Sequence, residues 1–227
     1  MIPIIVENRA FIVVNKPAGL NFHSENGPGL VVLVKQQLKL DALYPVHRLD
    51  KMTSGLVILA LDKATAKAFQ TLFSARKVDK FYLAISDQKP KKKQGWIKGD
   101  MQPARRGSWM LTKTDNNPAI TQFISVLIQP GERLFLLKPV TGKTHQIRVA
   151  LKSISAPICG DARYANRQKA QQEKRGYLHA FALRFELNER LFDIVCPPDS
   201  GPRFLKAPTA ELINVWSSPE HFFKQQL

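Results

Sequence analysis

Between His47 and Ser54 this 227-residue sequence holds His47, Arg48, Asp50, Lys51, Thr53 and Ser54. A carboxylate with cations on either side is equipped for nucleophilic or acid–base work, because neighbouring positive charge keeps it ionised. After Gly55 the chain becomes apolar from Leu56 to Leu61. A short run rich in branched residues predicts a buried strand. A charged loop pinned to a rigid strand is a natural place for chemistry. Asp, Thr and Ser also make ordinary turns by bonding the local backbone, and Thr53, Ser54 and Gly55 are the expected turn that fixes Asp50. Asp50 therefore needs partners before it counts as catalytic.

Two such partners stand further along. Arg148 falls in a predicted helix, His145–Ile154, whose buried stripe is Ile147, Ala150, Leu151 and Ile154. Thr144, Arg148 and Lys152 share another face of it. Tyr82 lies in a predicted strand, Phe81–Ile85, and can stack on a base or exchange a proton. Several other chemistries are excluded. Gly142-Lys143-Thr144 resembles the end of a phosphate loop, but Leu137 stands where the full motif needs its first glycine. Histidines 23, 47, 145, 179 and 221 show no metal-ligand spacing, and Cys159 and Cys196 join none of them, so no metal site is expected. His179, between Leu178 and Ala180, reads as a hydrogen-bonded structural histidine. There is no Gly-x-Ser-x-Gly elbow and no second acid near Asp50 for a paired-carboxylate mechanism.

The elements that must position these residues follow from periodicity and punctuation. Ile2–Val6 and Phe11–Val14 predict a hairpin, and Leu30–Leu40 a short helix. Asp62 is placed to cap a helix from Lys63 to about Ala75. Residues 87–118 are broken by Gly and Pro into short strands such as Ser108–Thr112, with Trp96 and Trp109 among lysines and arginines. Ala119–Ile128 and Arg133–Leu137 predict a hairpin across Gln129–Glu132. Residues 165–176 predict an exposed loop or short helix. Leu178–Leu187 and Arg190–Val195 predict strands, and Ala207–Trp216 a terminal helix. With no repeat and no long linker, the pattern is one strand-rich α+β domain over residues 1–227.

Composition narrows the partner. Lys+Arg number 34 against 18 Asp+Glu, a formal charge of +16. Such a surplus favours a polyanion, nucleic acid before an anionic membrane surface, since no basic amphipathic anchor stands out. No apolar run approaches the roughly 20 residues of a membrane span, and Met1-Ile2-Pro3 opens no signal peptide. Two distant cysteines point to a reducing cytoplasm. A monomer without an obligate protein partner is the expectation for a single compact domain.

At this point the motifs resemble a known family. His47-Arg48-Leu49-Asp50 followed by Thr53-Ser54-Gly55-Leu56 is similar to the signature of the RluA-type pseudouridine synthases. Val14–Gly19 resembles that family's Lys-Pro-x-Gly motif, Lys80–Ala84 its Lys-x-Tyr-x-Ala strand, and Gly142–Arg148 its Gly-Arg-Thr-His-Gln-Ile-Arg motif. Gly160–Tyr164 and Leu178-His179-Ala180 resemble its closing segments. The resemblance runs from about residue 11 to 196. It implies a mixed, mostly antiparallel sheet with a central catalytic cleft and few flanking helices, no cofactor, and isomerisation of uridine in structured RNA, rRNA or tRNA. It implies Asp50 as nucleophile, Tyr82 as the ring that stacks on the target base and takes the C5 proton, and Arg148 as partner of the catalytic carboxylate. Arg48 matches a residue associated with flipping the nucleotide. His47, Lys143, His145 and Lys16, in the matching motifs, are the further expected substrate-binding residues. Lys143 departs from the family's arginine, which loses a bidentate contact. No S4-type RNA-binding domain is expected ahead of residue 11. Lys89–Lys93, the segment from Trp96 to Lys113 and residues 165–176 are then the expected RNA contacts. The rivals are an RNA-binding protein without turnover and a base-removing glycosidase.

Overall fold

The structure is a computed structural model describing residues 1–25 and 27–223. In chain order its elements begin with β1 (Ile4–Glu7), β2 (Phe11–Lys16), α1 (Leu30–Gln37), β3 (Tyr44–Pro45), β4 (Ser54–Ala60) and α2 (Lys63–Ser74). Then come β5 (Val78–Ser86), β6 (Gln94–Gly99), β7 (Met101–Pro103), β8 (Trp109–Leu111), β9 (Ala119–Gln129) and β10 (Glu132–Pro139). The chain continues with α3 (Gln146–Ser153), α4 (Arg167–Gln172), β11 (Leu178–Leu187), β12 (Arg190–Val195), α5 (Pro202–Leu205) and α6 (Ala207–Val215). This is the expected α+β class with mostly antiparallel strands and few helices. It divides into two compact units, Met1–Asp79 with His179–Cys196, and Lys80–Leu178 with the chain from Pro197 onward.

In the first unit the strands run in the order β1, β2, β4, β11, with β3 also on β4 and β12 on β11. All pairs are antiparallel except β4 with β11, where His179 faces Ser54 and Ala180 faces Gly55. Every residue of β4 is buried, as the unbroken apolar run predicts for a strand covered on both faces. Phe11, Phe69, Phe185 and Phe192 pack edge-to-face or stacked at centroid distances of 5.1–5.7 Å. They share a core with Val13, Leu56, Ile58 and Val78. Helix α2 closes over this core through Phe69 and starts at Asp62, whose carboxylate accepts from the Thr65 N–H at 2.8 Å. That bond also holds the exposed Asp62 carboxyl below its ordinary pKa.

The second unit is built on β5, β10, β9 and β6, in that order and all antiparallel. A separate hairpin pairs β7 with β8. The β9–β10 hairpin aligns Phe135 opposite Ser125, and β10 in turn sets Leu137 opposite Tyr82 on β5.

Ser54 and Gly55 do not form the turn that holds Asp50; they open β4. The turn is made earlier, by the Thr53 N–H donating to the Asp50 carbonyl at 3.0 Å. Gly55 has φ +108°, and a Cβ built on it would lie 2.2 Å from the Ala180 carbonyl oxygen. The parallel ladder leaves no room for a side chain at this position. Gly55→Ala is expected to lower stability by about 2–4 kcal/mol, from left-handed backbone strain plus a backbone clash, measured by urea denaturation. A shift within about 0.5 kcal/mol, the level of a neutral surface change, would contradict the packing described.

Candidate active site

The segment 47–53 leaves β3 and returns as β4. Leu49 is its buried anchor, between exposed Arg48 and half-buried Asp50. His47 turns inward. Its Nε2 accepts the Ile58 N–H at 2.9 Å, and its ring packs 5.0 Å from Phe73. The ring is therefore unprotonated at Nε2, and it fastens the start of the segment to β4. Lys16 is fully buried at the end of β2. Its ammonium donates to the carbonyls of Pro17 at 3.0 Å, Leu20 at 2.9 Å and Lys51 at 3.2 Å. The Gly19 N–H donates to the same Lys51 carbonyl at 2.8 Å. The Lys-Pro-Ala-Gly turn and the Asp50 segment are thus knotted through one buried cation.

Below this, Ser54 and His179 meet. Ser54 Oγ lies 2.7 Å from His179 Nδ1, and His179 Nε2 lies 2.7 Å from the Cys196 carbonyl oxygen. A carbonyl only accepts, so Nε2 carries a proton. His179 is wholly buried, the structural histidine its apolar neighbours predict.

In the second unit, Tyr82 is half-buried on β5. The loop before α3 is fixed by Gln146. Its Oε1 accepts from Thr141 Oγ1 at 2.7 Å and from the Lys143 N–H at 3.0 Å. Its Nε2 donates to the Ile120 carbonyl and to Thr121 Oγ1, each at 3.0 Å. This buried amide uses both donors and accepts twice, locking residues 141–146 onto β9. Lys143 Nζ donates to Asn117 Oδ1 at 2.8 Å. His145 takes the left-handed conformation, φ 57°, and its Nδ1 lies 2.9 Å from the Tyr164 hydroxyl.

Arg148 follows in the first turn of α3 and is buried. Its Nε donates to Asp161 Oδ2 at 2.8 Å and its Nη2 to Asp161 Oδ1 at 2.9 Å. The same Oδ1 accepts the N–H groups of Arg163 and Tyr164. The Tyr164 ring lies 5.0 Å from the guanidinium carbon, and its oxygen accepts the Trp109 N–H at 2.9 Å. Bidentate pairing fixes the plane of the guanidinium as well as its position. Asp161 and Tyr164 were not among the expected site residues. Their signal was the Gly-Asp segment, which periodicity alone does not connect to Arg148. The predicted face shared by Thr144, Arg148 and Lys152 is split: Thr144 and Lys152 are exposed, while Arg148 is drawn inward by Asp161.

A family model described as RNA pseudouridylate synthase matches residues 10–153. The chain belongs to this RNA pseudouridylate synthase family. It is 47% identical over 216 residues to a protein of Haemophilus influenzae described as an uncharacterized RNA pseudouridine synthase, covering 95% of this chain and 96% of that one. It is 35% identical over 187 residues to the ribosomal large subunit pseudouridine synthase C of Rickettsia bellii, covering 78% of this chain and 61% of that relative. Among solved structures, human RNA pseudouridylate synthase domain containing 4 matches with 29% identity and a TM-score of 0.73, over 93% of each chain. Human RNA pseudouridylate synthase domain containing 1 matches with 25% identity and a TM-score of 0.75, over 95% of this chain and 94% of that one. The synthase is accordingly an isomerase acting on RNA. Asp50, Tyr82 and Arg148 all fall inside the matched segment.

Burial tunes three titratable groups of the synthase's second unit. It pushes the Cys159 thiol from its ordinary 9.0 up to about 12, and it raises the hydroxyls of Tyr164 and Tyr177. Each folded value lies above its unfolded one, so the native state keeps protons that the unfolded chain gives up. The resulting stability is fully present below pH 9 and is lost as pH rises from there. The urea midpoint is expected to fall steadily between pH 9 and 11, and less steeply in Cys159→Ala. A midpoint constant over that range contradicts the burial described.

Proposed function

We propose that this enzyme converts uridine to pseudouridine in structured rRNA or tRNA, using Asp50 as the nucleophile. The observation that carries the reading is the Asp50 segment itself. It is a carboxylate turn held by buried Lys16, inward-facing His47 and Leu49, lying within the family-matched residues. The reaction breaks the C1′–N1 bond, turns the base and joins C1′ to C5. The C5 proton leaves and N1 gains one, so the product is an isomer. Attack at the sugar and attack at the base both require an ionised carboxylate with a fixed direction. Tyr82 is proposed to stack on the base and receive the C5 proton, and Arg148 to partner the catalytic carboxylate.

The target base must leave its stack before it can react. Exposed Arg48, next to the Asp50 segment, is proposed to assist that step. Lys143, His145 and the charge of +16 are proposed to contact phosphate and position the RNA without reading its sequence. His47 and Lys16, which hold the segment from inside, are proposed to support substrate binding by fixing its shape. The enzyme is proposed to act in the cytoplasm, as a monomer of one catalytic domain. Two buried cysteines, neither in a disulfide, suit that compartment.

The test uses RNA tritiated at uridine C5. Wild-type protein should release tritium, and Asp50→Ala should reduce release by at least about 10³-fold, as removal of a nucleophile does. Binding without release would make the protein an RNA binder, and free uracil among the products would make it a glycosidase.

A further inference from the structure

Strand β6 lies at the edge of the second unit's strand order, with β9 as its ladder partner among the described residues. Alternation puts Trp96 and Lys98 on one face and Ile97 on the other, where it is buried. Trp96 is only half covered. Lys98 Nζ lies 5.3 Å from its ring centroid, and Lys92 Nζ donates to its carbonyl. Trp96 and its neighbour Ile97 both line a groove of about 330 Å³ between β6, β8 and the end of α3. Ile97, Leu111 and Ile154 give the groove an apolar floor; Lys92, Lys98 and Lys113 stand around it, and among the described residues no carboxylate lines it.

We propose that this groove is a subsite for single-stranded RNA, in which one unpaired base stacks on Trp96 while Lys92, Lys98 and Lys113 hold its flanking phosphates. The inference rests on the reading of the chain as an RNA-modifying enzyme and adds where a strand beside the target is gripped. An indole face beside an apolar floor and a ring of cations suits a base and its backbone, because every base offers a π-face. The volume lies at the low end of the range of about 300–1,000 Å³ for small-ligand sites. Ile154 caps the helix that begins beside Arg148, about 9 Å further along its axis at 1.5 Å per residue. The subsite is therefore separate from the Arg148 network and near enough for the same short RNA to reach both. The competing role for Trp96 is packing alone, as a lid on an edge strand.

A 5′-fluorescein-labelled oligouridylate, titrated with the full chain and followed by anisotropy, separates the two roles. Trp96→Ala should weaken binding about 5- to 150-fold, the range for losing one stacked base, while Trp96→Phe stays within about threefold. Lys98→Gln with Lys113→Gln should reduce the slope of log K against log salt by about 1.4, at about 0.7 for each single-strand phosphate contact. Both lysines are exposed, so this variant stands even where Trp96→Ala misfolds. Unchanged affinity in Trp96→Ala, equal losses in Trp96→Ala and Trp96→Phe, or an unchanged salt slope would each overturn the subsite. Tritium release by the wild type would survive any of those results. Its absence would overturn the enzyme reading instead.

Discussion

The interaction on which the second unit depends is the buried bidentate pair of Arg148 and Asp161. Neither side chain has much solvent to replace its partner: the exposures are 8% and 0%. Removing one member of such a pair costs about 3–5 kcal/mol, because the other is left charged and buried. The pair is also a junction. Asp161 orders the chain at Arg163 and Tyr164, and Tyr164 in turn meets His145 and the Trp109 amide. Segments from three distant parts of the sequence are thereby held around one guanidinium. A fork–fork contact fixes orientation to within a few degrees of freedom, which a lysine at the same position could not do.

The first unit solves a related problem with different chemistry. A fully buried ammonium is tolerable only when its donors find acceptors, and Lys16 finds three backbone carbonyls. One of these belongs to Lys51, so the cation stabilises a particular path of the chain next to Asp50. His47 holds the same path from the β4 side, and Leu49 is buried within it. The Asp50 carboxylate sits in a loop, yet the loop's backbone is constrained at both flanks. Such constraint is what allows a loop to present a side chain in one direction.

Much of this was legible in the sequence. The β4 run, the Asp62 cap, the β9–β10 hairpin and the two last strands follow from periodicity and punctuation. Helix ends were legible only approximately. Helices α1, α2 and α3 stop one to three residues short of the predicted Leu40, Ala75 and Ile154. Each ends in a left-handed residue, Lys39, Arg76 and Ser155, with the paired 6→1 and 5→2 bonds of a Schellman turn. No glycine marks these stops, so nothing in the residue types announces them. The site was legible as motifs but not as contacts. Arg148 was visible; that Asp161 grips it, thirteen residues on, follows from tertiary folding alone. Likewise Gln146 reads as an ordinary helical residue until its amide is seen bridging Thr141, Lys143 and β9.

The central claim is that Arg148 serves the reaction in the orientation that Asp161 imposes. A double-mutant cycle tests it most directly, with single-turnover tritium release measured for wild type, Arg148→Lys, Asp161→Asn and the double variant, each shown to be folded by circular dichroism. Residues acting as one unit are non-additive. The account predicts that each single variant is slowed and that the double variant is no slower than the worse single. Losses that multiply, or an Asp161→Asn enzyme with the wild-type rate, would contradict it.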